Sequence, residues 1–107
     1  MKHVKKDGKL VWLEEGGVNL NTGKSSGWWH IDKEVRKGGL TRSQEIIKSG
    51  IANSSPDVQN LIINTIENGE KVTGGYSKIY TTSNGTQRKL KVGVGSNGYI
   101  TTLTFTK

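Results

Sequence analysis

Residues 71–107 read KVTGGYSKIYTTSNGTQRKLKVGVGSNGYITTLTFTK, and the period of this stretch decides the fold. Apolar and polar side chains alternate along it, the signature of half-buried strands. Ser83-Asn84-Gly85 and Ser96-Asn97-Gly98 each carry an Asn-Gly pair, which suits the positive φ of a tight hairpin. The spacing predicts three strands: 71–82, with a break at Gly74-Gly75, then 86–95, then 99–106. The last is rich in Thr and aromatic residues, which favour extended backbone.

Upstream the period is helical. Ser55-Pro56-Asp57 reads as a helix start, with Ser55 as N-cap, Pro56 at N1 and an acid in the first turn. Val58, Leu61, Ile62, Thr65 and Ile66 trace one face, and Gly69 closes it. Thr41-Arg42-Ser43-Gln44 has the form of a capping box and opens a shorter helix through Ile46 and Ile47 to Gly50. Trp28, Ile31 and Val35 place another helix over residues 28–37, stopped at Gly38-Gly39. Residues 14–27 are dense in Gly, Asn and Ser and read as loop. A short strand is expected over residues 9–13, and residues 1–9 read as a mobile basic arm. Helices followed by a meander define an α+β fold, with N-terminal helices packed on one face of a C-terminal antiparallel β-meander. Residues 1–26 are then a basic arm and Gly-rich N-terminal segment, and residues 27–107 the α+β domain.

The chain has 107 residues and is 31 % hydrophobic, enough for one small domain with a modest core. It has no Cys, which excludes a disulfide scaffold, a thiolate metal site and Cys catalysis. No apolar run reaches membrane-helix length. Met1 to Lys6 is followed by no apolar stretch and does not read as a signal peptide, so secretion by another route or excision from a larger protein stays open.

The formal charge of +7 is unevenly placed. Residues 1–70 hold ten Lys/Arg and nine Asp/Glu, leaving +1, whereas residues 71–107 hold six Lys/Arg and no acid. A surface of one sign attracts a polyanion, and nucleic acid is the first candidate. An anionic membrane comes second, without a basic amphipathic helix to serve it.

Alternation assigns the sheet faces. Leu90, Val92 and Val94 point one way, and Lys89 and Lys91 the other. Tyr99, Thr101, Leu103 and Phe105 are expected on the helix side, and Ile100, Thr102 and Thr104 on the open side. Lys78 and Tyr80 are placed on the open face, unless a bulge near Gly74-Gly75 reverses the parity.

Two His exist. His3 lies in the arm and reads as a tail residue. His30 follows Trp28-Trp29, and is read either as a packed structural residue or as a proton-transfer group near neutral pH. Asp32 and Glu34 read first as solvated helix positions rather than as groups orienting His30, and at least one of the two Trp is expected in the core. No His, Cys or acidic cluster has metal-ligand spacing, and no cofactor is implied. Residues 93–98 spell GxGxxG, but across a hairpin turn, with no helix to follow. One His, several cations and Thr hydroxyls without a metal fit RNA cleavage, because RNA brings its own nucleophile, the 2′-OH. His30 would act as acid or base, Lys89, Lys91 or Arg88 would stabilise charge on phosphorus, and Thr102 would hydrogen-bond a phosphate oxygen.

The segment from Gly27 to Lys33, the helix from Pro56 and the strands ending at Gly98 to Phe105 resemble the barnase/EndoU/colicin/RelE (BECR) group of ribonucleases. Many of that group are C-terminal toxin domains of polymorphic and contact-dependent growth inhibition systems. The resemblance covers roughly residues 27–107. It implies a His-Ile pair on an early helix, matched by His30, basic sheet residues, matched by Lys89 or Lys91, and a Ser or Thr in the final strand, matched by Thr102. Many members carry a second His shortly after the first; here Glu34, Val35 and Arg36 stand there. Lys33, Arg36, Arg42 and Lys78 are the substitutes for that second group. The resemblance implies a metal-independent endoribonuclease toxin with tRNA as substrate, a cognate acidic immunity protein, a translation factor in some systems, and a secreted or delivered domain acting in the target-cell cytoplasm. Lys33, Arg42, Lys78, Tyr80, Arg88 and Thr104 are the expected substrate contacts. The competing readings are a non-catalytic RNA- or nucleic-acid-binding module and a protein-interaction domain that meets an acidic partner.

Overall fold

A computed structural model describes residues 2–106. Two strands, β1 (Lys2–Lys6) and β2 (Lys9–Leu13), form an antiparallel hairpin. A two-rung ladder, β3 (Gly17–Val18) with β4 (Ser25–Ser26), leads into α1 (Gly27–Asp32). Two longer helices follow, α2 (Arg42–Ser49) and α3 (Ser55–Asn68). The chain ends in a four-stranded antiparallel sheet in sequential order, β5 (Glu70–Val72), β6 (Gly75–Thr81), β7 (Gln87–Val94) and β8 (Ile100–Thr106). The fold is α+β, with the helices packed against one face of the C-terminal sheet.

The core lies between that face and the helices. Val58, Ile62, Thr65 and Ile66 are the buried stripe of α3, as helical spacing predicts. They meet Leu90 and Val92 of β7 and Leu103 and Phe105 of β8 in one cluster. Each fully buried aliphatic side chain here contributes roughly 1.5–3 kcal/mol. The capping box of α2 is present: Thr41 Oγ1 accepts from Gln44 N, and the Gln44 side chain accepts from Thr41 N. Its end is Gly50, left-handed at φ 89°.

Several expectations need correction. Residues 2–6 are a strand rather than an arm. Asp7-Gly8, with φ of 53° and 78°, is a tight hairpin turn of the Asp-Gly kind, and Val11 and Leu13 carry the hairpin into the common core. The N-cap of α3 is Ser54, one residue earlier than predicted, with its hydroxyl accepting from Asp57 N. Helix α1 stops at Asp32 instead of residue 37. Glu34 N donates back to Trp29 O and Arg36 N to Leu40 O, so residues 33–40 form a turn. Val35, which helical spacing aligned with Trp28 and Ile31, is 63 % exposed. The break at Gly74-Gly75 is a complete reversal, which makes four strands where three were predicted.

That reversal also resets parity in β6. Tyr76, Lys78 and Tyr80 face the helices, while Ser77 and Ile79 share the open face with Lys89 and Lys91. Tyr80 Oη bonds Asn64 and Thr65 of α3, so the expectation that Lys78 and Tyr80 lie on the open face is overturned. In β8 the register shifts: Thr102 pairs with Gly93, but Ile100 pairs with Val94. Thr101 is the extra residue of a bulge, so Ile100 is buried on the helix side and Thr101 is exposed.

Candidate functional site

The site grows from the start of α1. Trp28 N donates to Glu14 O and Trp29 N to Glu15 O, which satisfies two of the helix's leading amides. Gly27 has φ 66°, and a Cβ there would lie 2.7 Å from Glu14 O and 2.8 Å from Tyr99 Oη, so only glycine lets the chain pass. Trp28 and Ile31 then point into the core, and Trp29 is half-buried. Burying Trp28 and Ile31 leaves His30 on the adjacent flank, against the edge strand β8.

There His30 Nε2 lies 3.1 Å from Thr102 Oγ1. Thr102 keeps regular register opposite Gly93, and the bulge at Thr101 lies just before it. On the other side of the ring, His30 Nδ1 is 2.6 Å from Ser25 Oγ and 3.0 Å from Glu34 Oε2. Ser25 Oγ donates its proton to Glu34 Oε1 at 2.7 Å, so it accepts from Nδ1. This network assigns the ring proton to Nδ1 and leaves the Nε2 lone pair toward the Thr102 hydroxyl. Arg42 closes the cluster: Nη1 lies 3.4 Å from Glu34 Oε2 and 3.4 Å from His30 O, and Nε donates to Leu103 O at 3.0 Å.

Electrostatics agree with the assignment. Burial lowers the His30 pKa below its ordinary value, Arg42 lowers it further, and Glu34 opposes them. The Ser25 hydrogen bond holds Glu34 below the ordinary carboxylate range, aided by His30 and Arg42. A neutral imidazole backed by an ionised carboxylate can accept a proton at Nε2 and have the resulting charge stabilised at Nδ1.

His30, Thr102 and Arg42 thus come together. Lys91 pairs with Thr104, the next position on the same face after the Gly93–Thr102 pair, roughly 7 Å along the strand. Lys89 pairs with Thr106, one step further away. Lys33 is exposed beside Asp32 at 3.5 Å. Asp32 accepts from Ser55 at 2.8 Å and ties α1 to α3, with no contact to the imidazole. Lys78 and Tyr80 lie across the sheet on its helix side, away from His30. Arg88, also on the helix side, stacks on Phe105 with 3.7 Å from its guanidinium carbon to the ring centroid.

Ser25 is the site residue that sequence reading missed, and Glu34, read first as a solvated position, instead contacts the imidazole. Glu34 stands four residues after His30, a spacing that aligns side chains on one helical flank. Ser25 carries no such signal. Among the described residues no group of three or more His, Asp or Glu is arranged to hold a metal ion, and no helix is long and apolar enough to cross a membrane. Comparison with protein-family models, curated proteins and solved structures finds no significant match to this chain.

Proposed function

We propose that the chain is a metal-independent endoribonuclease in which His30 is the general base. One observation carries this reading: His30 presents Nε2 to Thr102 while Glu34 and Ser25 hold Nδ1. The RNA 2′-OH gives its proton to Nε2, and the 2′-oxygen attacks the adjacent phosphorus. The P–O5′ bond breaks, leaving a 2′,3′-cyclic phosphate; the departing 5′-oxygen takes a proton from a water molecule, and the hydroxide so formed recovers the proton held at Nε2, which returns His30 to its starting state. Thr102 holds a phosphate oxygen, and Arg42 and Lys91 offset the growing negative charge.

The open face of the sheet carries Lys89 and Lys91, with Glu70 beside Ser77 toward the far edge, and this excess of positive charge supports an RNA substrate. The resemblance to toxin ribonucleases extends the reading to tRNA, an acidic immunity protein as partner, and delivery into a target cell. A non-catalytic stacking module has less to stand on, because Tyr80, its one aromatic candidate, is engaged with α3. Incubation with tRNA in EDTA tests the proposal. Cyclic phosphate ends that disappear in His30→Ala are expected; binding of RNA without cleavage would refute it.

A further inference from the structure

A second cluster of cations lies beyond the His30 site. The end of α2 and the β6–β7 hairpin enclose a cavity of about 330 Å³ lined by Lys48, Ser49, Ser83, Asn84, Thr86 and Arg88, among others. No carboxylate lines it. Glu45 borders an adjoining cavity and is paired with Arg36 at 3.0 Å. Neither Lys48 nor Arg88 makes an ion pair among the described residues.

The acceptors around this cavity are already engaged. Ser49 O takes Ser83 N at 3.0 Å and Ser83 Oγ at 3.2 Å. Asn84 Oδ1 takes Thr82 Oγ1 and Thr86 N. Among the described residues, Lys48 Nζ, Asn84 Nδ2 and the Thr86 hydroxyl have no partner, and Arg88 Nε is buried and unsatisfied. Arg88 itself is held rigidly: it stacks on Phe105, and Nη2 donates to Phe105 O at 3.3 Å. A cavity with spent acceptors and two unpaired cations is built for an anion.

Its position says which anion. Leu103 O and Phe105 O lie two residues apart and so share one edge of β8, and they take guanidinium donors from Arg42 and Arg88 in turn. The line Thr102–Arg42–Arg88–Lys48 follows that edge, and Thr102 and Phe105 are roughly 10 Å apart along it. That is about one or two nucleotides of an extended strand. We propose that the Lys48–Arg88 cavity is a phosphate subsite, which holds an RNA backbone phosphodiester flanking the bond cut at His30. The identity of the ligand rests on the ribonuclease reading; the anion site does not.

Inorganic phosphate added to the full chain should shift the NMR signals of the Ser83, Asn84 and Thr86 amides. The shifts should weaken several-fold in Lys48→Gln and return in Lys48→Arg. Lys48 is the residue to vary because it is exposed, whereas Arg88 also packs on Phe105. Absence of these shifts, or shifts indifferent to Lys48→Gln, overturns the site. A tetranucleotide with 2′-O-methyl groups cannot be cleaved by 2′-attack and separates the phosphate sources. It should move the same signals with or without a 5′-phosphate, and Lys48→Gln should reduce the salt slope of its binding by about one. A response only to the 5′-phosphorylated form overturns the backbone assignment in favour of a phosphate monoester. If tRNA is never cleaved while these signals still move, the ribonuclease reading fails and the anion site stands.

Discussion

His30 Nε2 and Thr102 Oγ1 meet at 3.1 Å although 72 positions separate them in the chain. The contact joins the first helix to the last strand, where Thr102 stands in regular register opposite Gly93. Thr102→Val keeps the shape and removes the hydroxyl. It should lower kcat for RNA cleavage by about 10²-fold or more, on the scale of one lost transition-state hydrogen bond. Thr102→Ser should retain most activity. Equal rates in the Val variant and the parent would remove Thr102 from the site.

Glu34 acts through His30 and is a positioning residue. Because its carboxylate raises the imidazole pKa against burial and Arg42, Glu34→Gln should move the His30 titration to lower pH. NMR of the imidazole ring reads this directly. The rate should fall together with the shift, since the imidazolium at Nδ1 loses its counter-charge. An unchanged titration would show that Glu34 does not govern the ring.

The pH dependence has a definite sign. The His30 pKa lies below its ordinary value of 6.5 in the folded state, so the unfolded chain binds more protons as pH falls past that value. Stability therefore declines from about pH 6.5 downward until the folded-state pKa is passed. Glu34, lowered from 4.5, adds a second loss at more acidic pH, as pH falls through its folded value. Urea midpoints measured across pH 4–8 should fall toward acid, and His30→Gln should flatten the upper part of the fall. A midpoint that rises between pH 7 and pH 5.5 would contradict the assignment.

Gly27→Ala tests the geometry that delivers His30. A methyl group would meet Glu14 O and Tyr99 Oη within 3 Å, at a left-handed φ. The backbone strain alone is about 1–2 kcal/mol. Denaturant unfolding should show at least that loss, and RNA cleavage should fall further than the lost stability explains, because α1 must shift against β8. A variant of parental stability and rate would show that the helix entry is tolerant.

The sequence by itself determined most local structure here, because local structure depends on neighbours in the chain. The box Thr41–Gln44, the stripe Val58–Ile62–Ile66 and the Asn-Gly turns each encode their element within a few residues. Their order in the chain implies helices on a meander. The charge imbalance after Glu70 was equally plain, as were His30 and Thr102 as candidates. Alternation failed where one residue changes parity. The reversal at Gly74-Gly75 moved Lys78 and Tyr80 to the helix side, and the bulge at Thr101 buried Ile100. In a strand of period two, a single-residue slip exchanges the faces. Only the tertiary structure decided what surrounds His30. Ser25 comes from a two-rung ladder, Glu34 from beyond the helix end and Arg42 from the next helix, and their meeting depends on how α1 packs against β8. The same packing fixed the ring's tautomer and lowered its pKa, through burial and neighbouring charges that chain order does not specify. It also sorted the +7 into places with different chemistry: Lys89 and Lys91 on the open face, Arg42 at the imidazole, and Arg88 with Lys48 around a separate cavity.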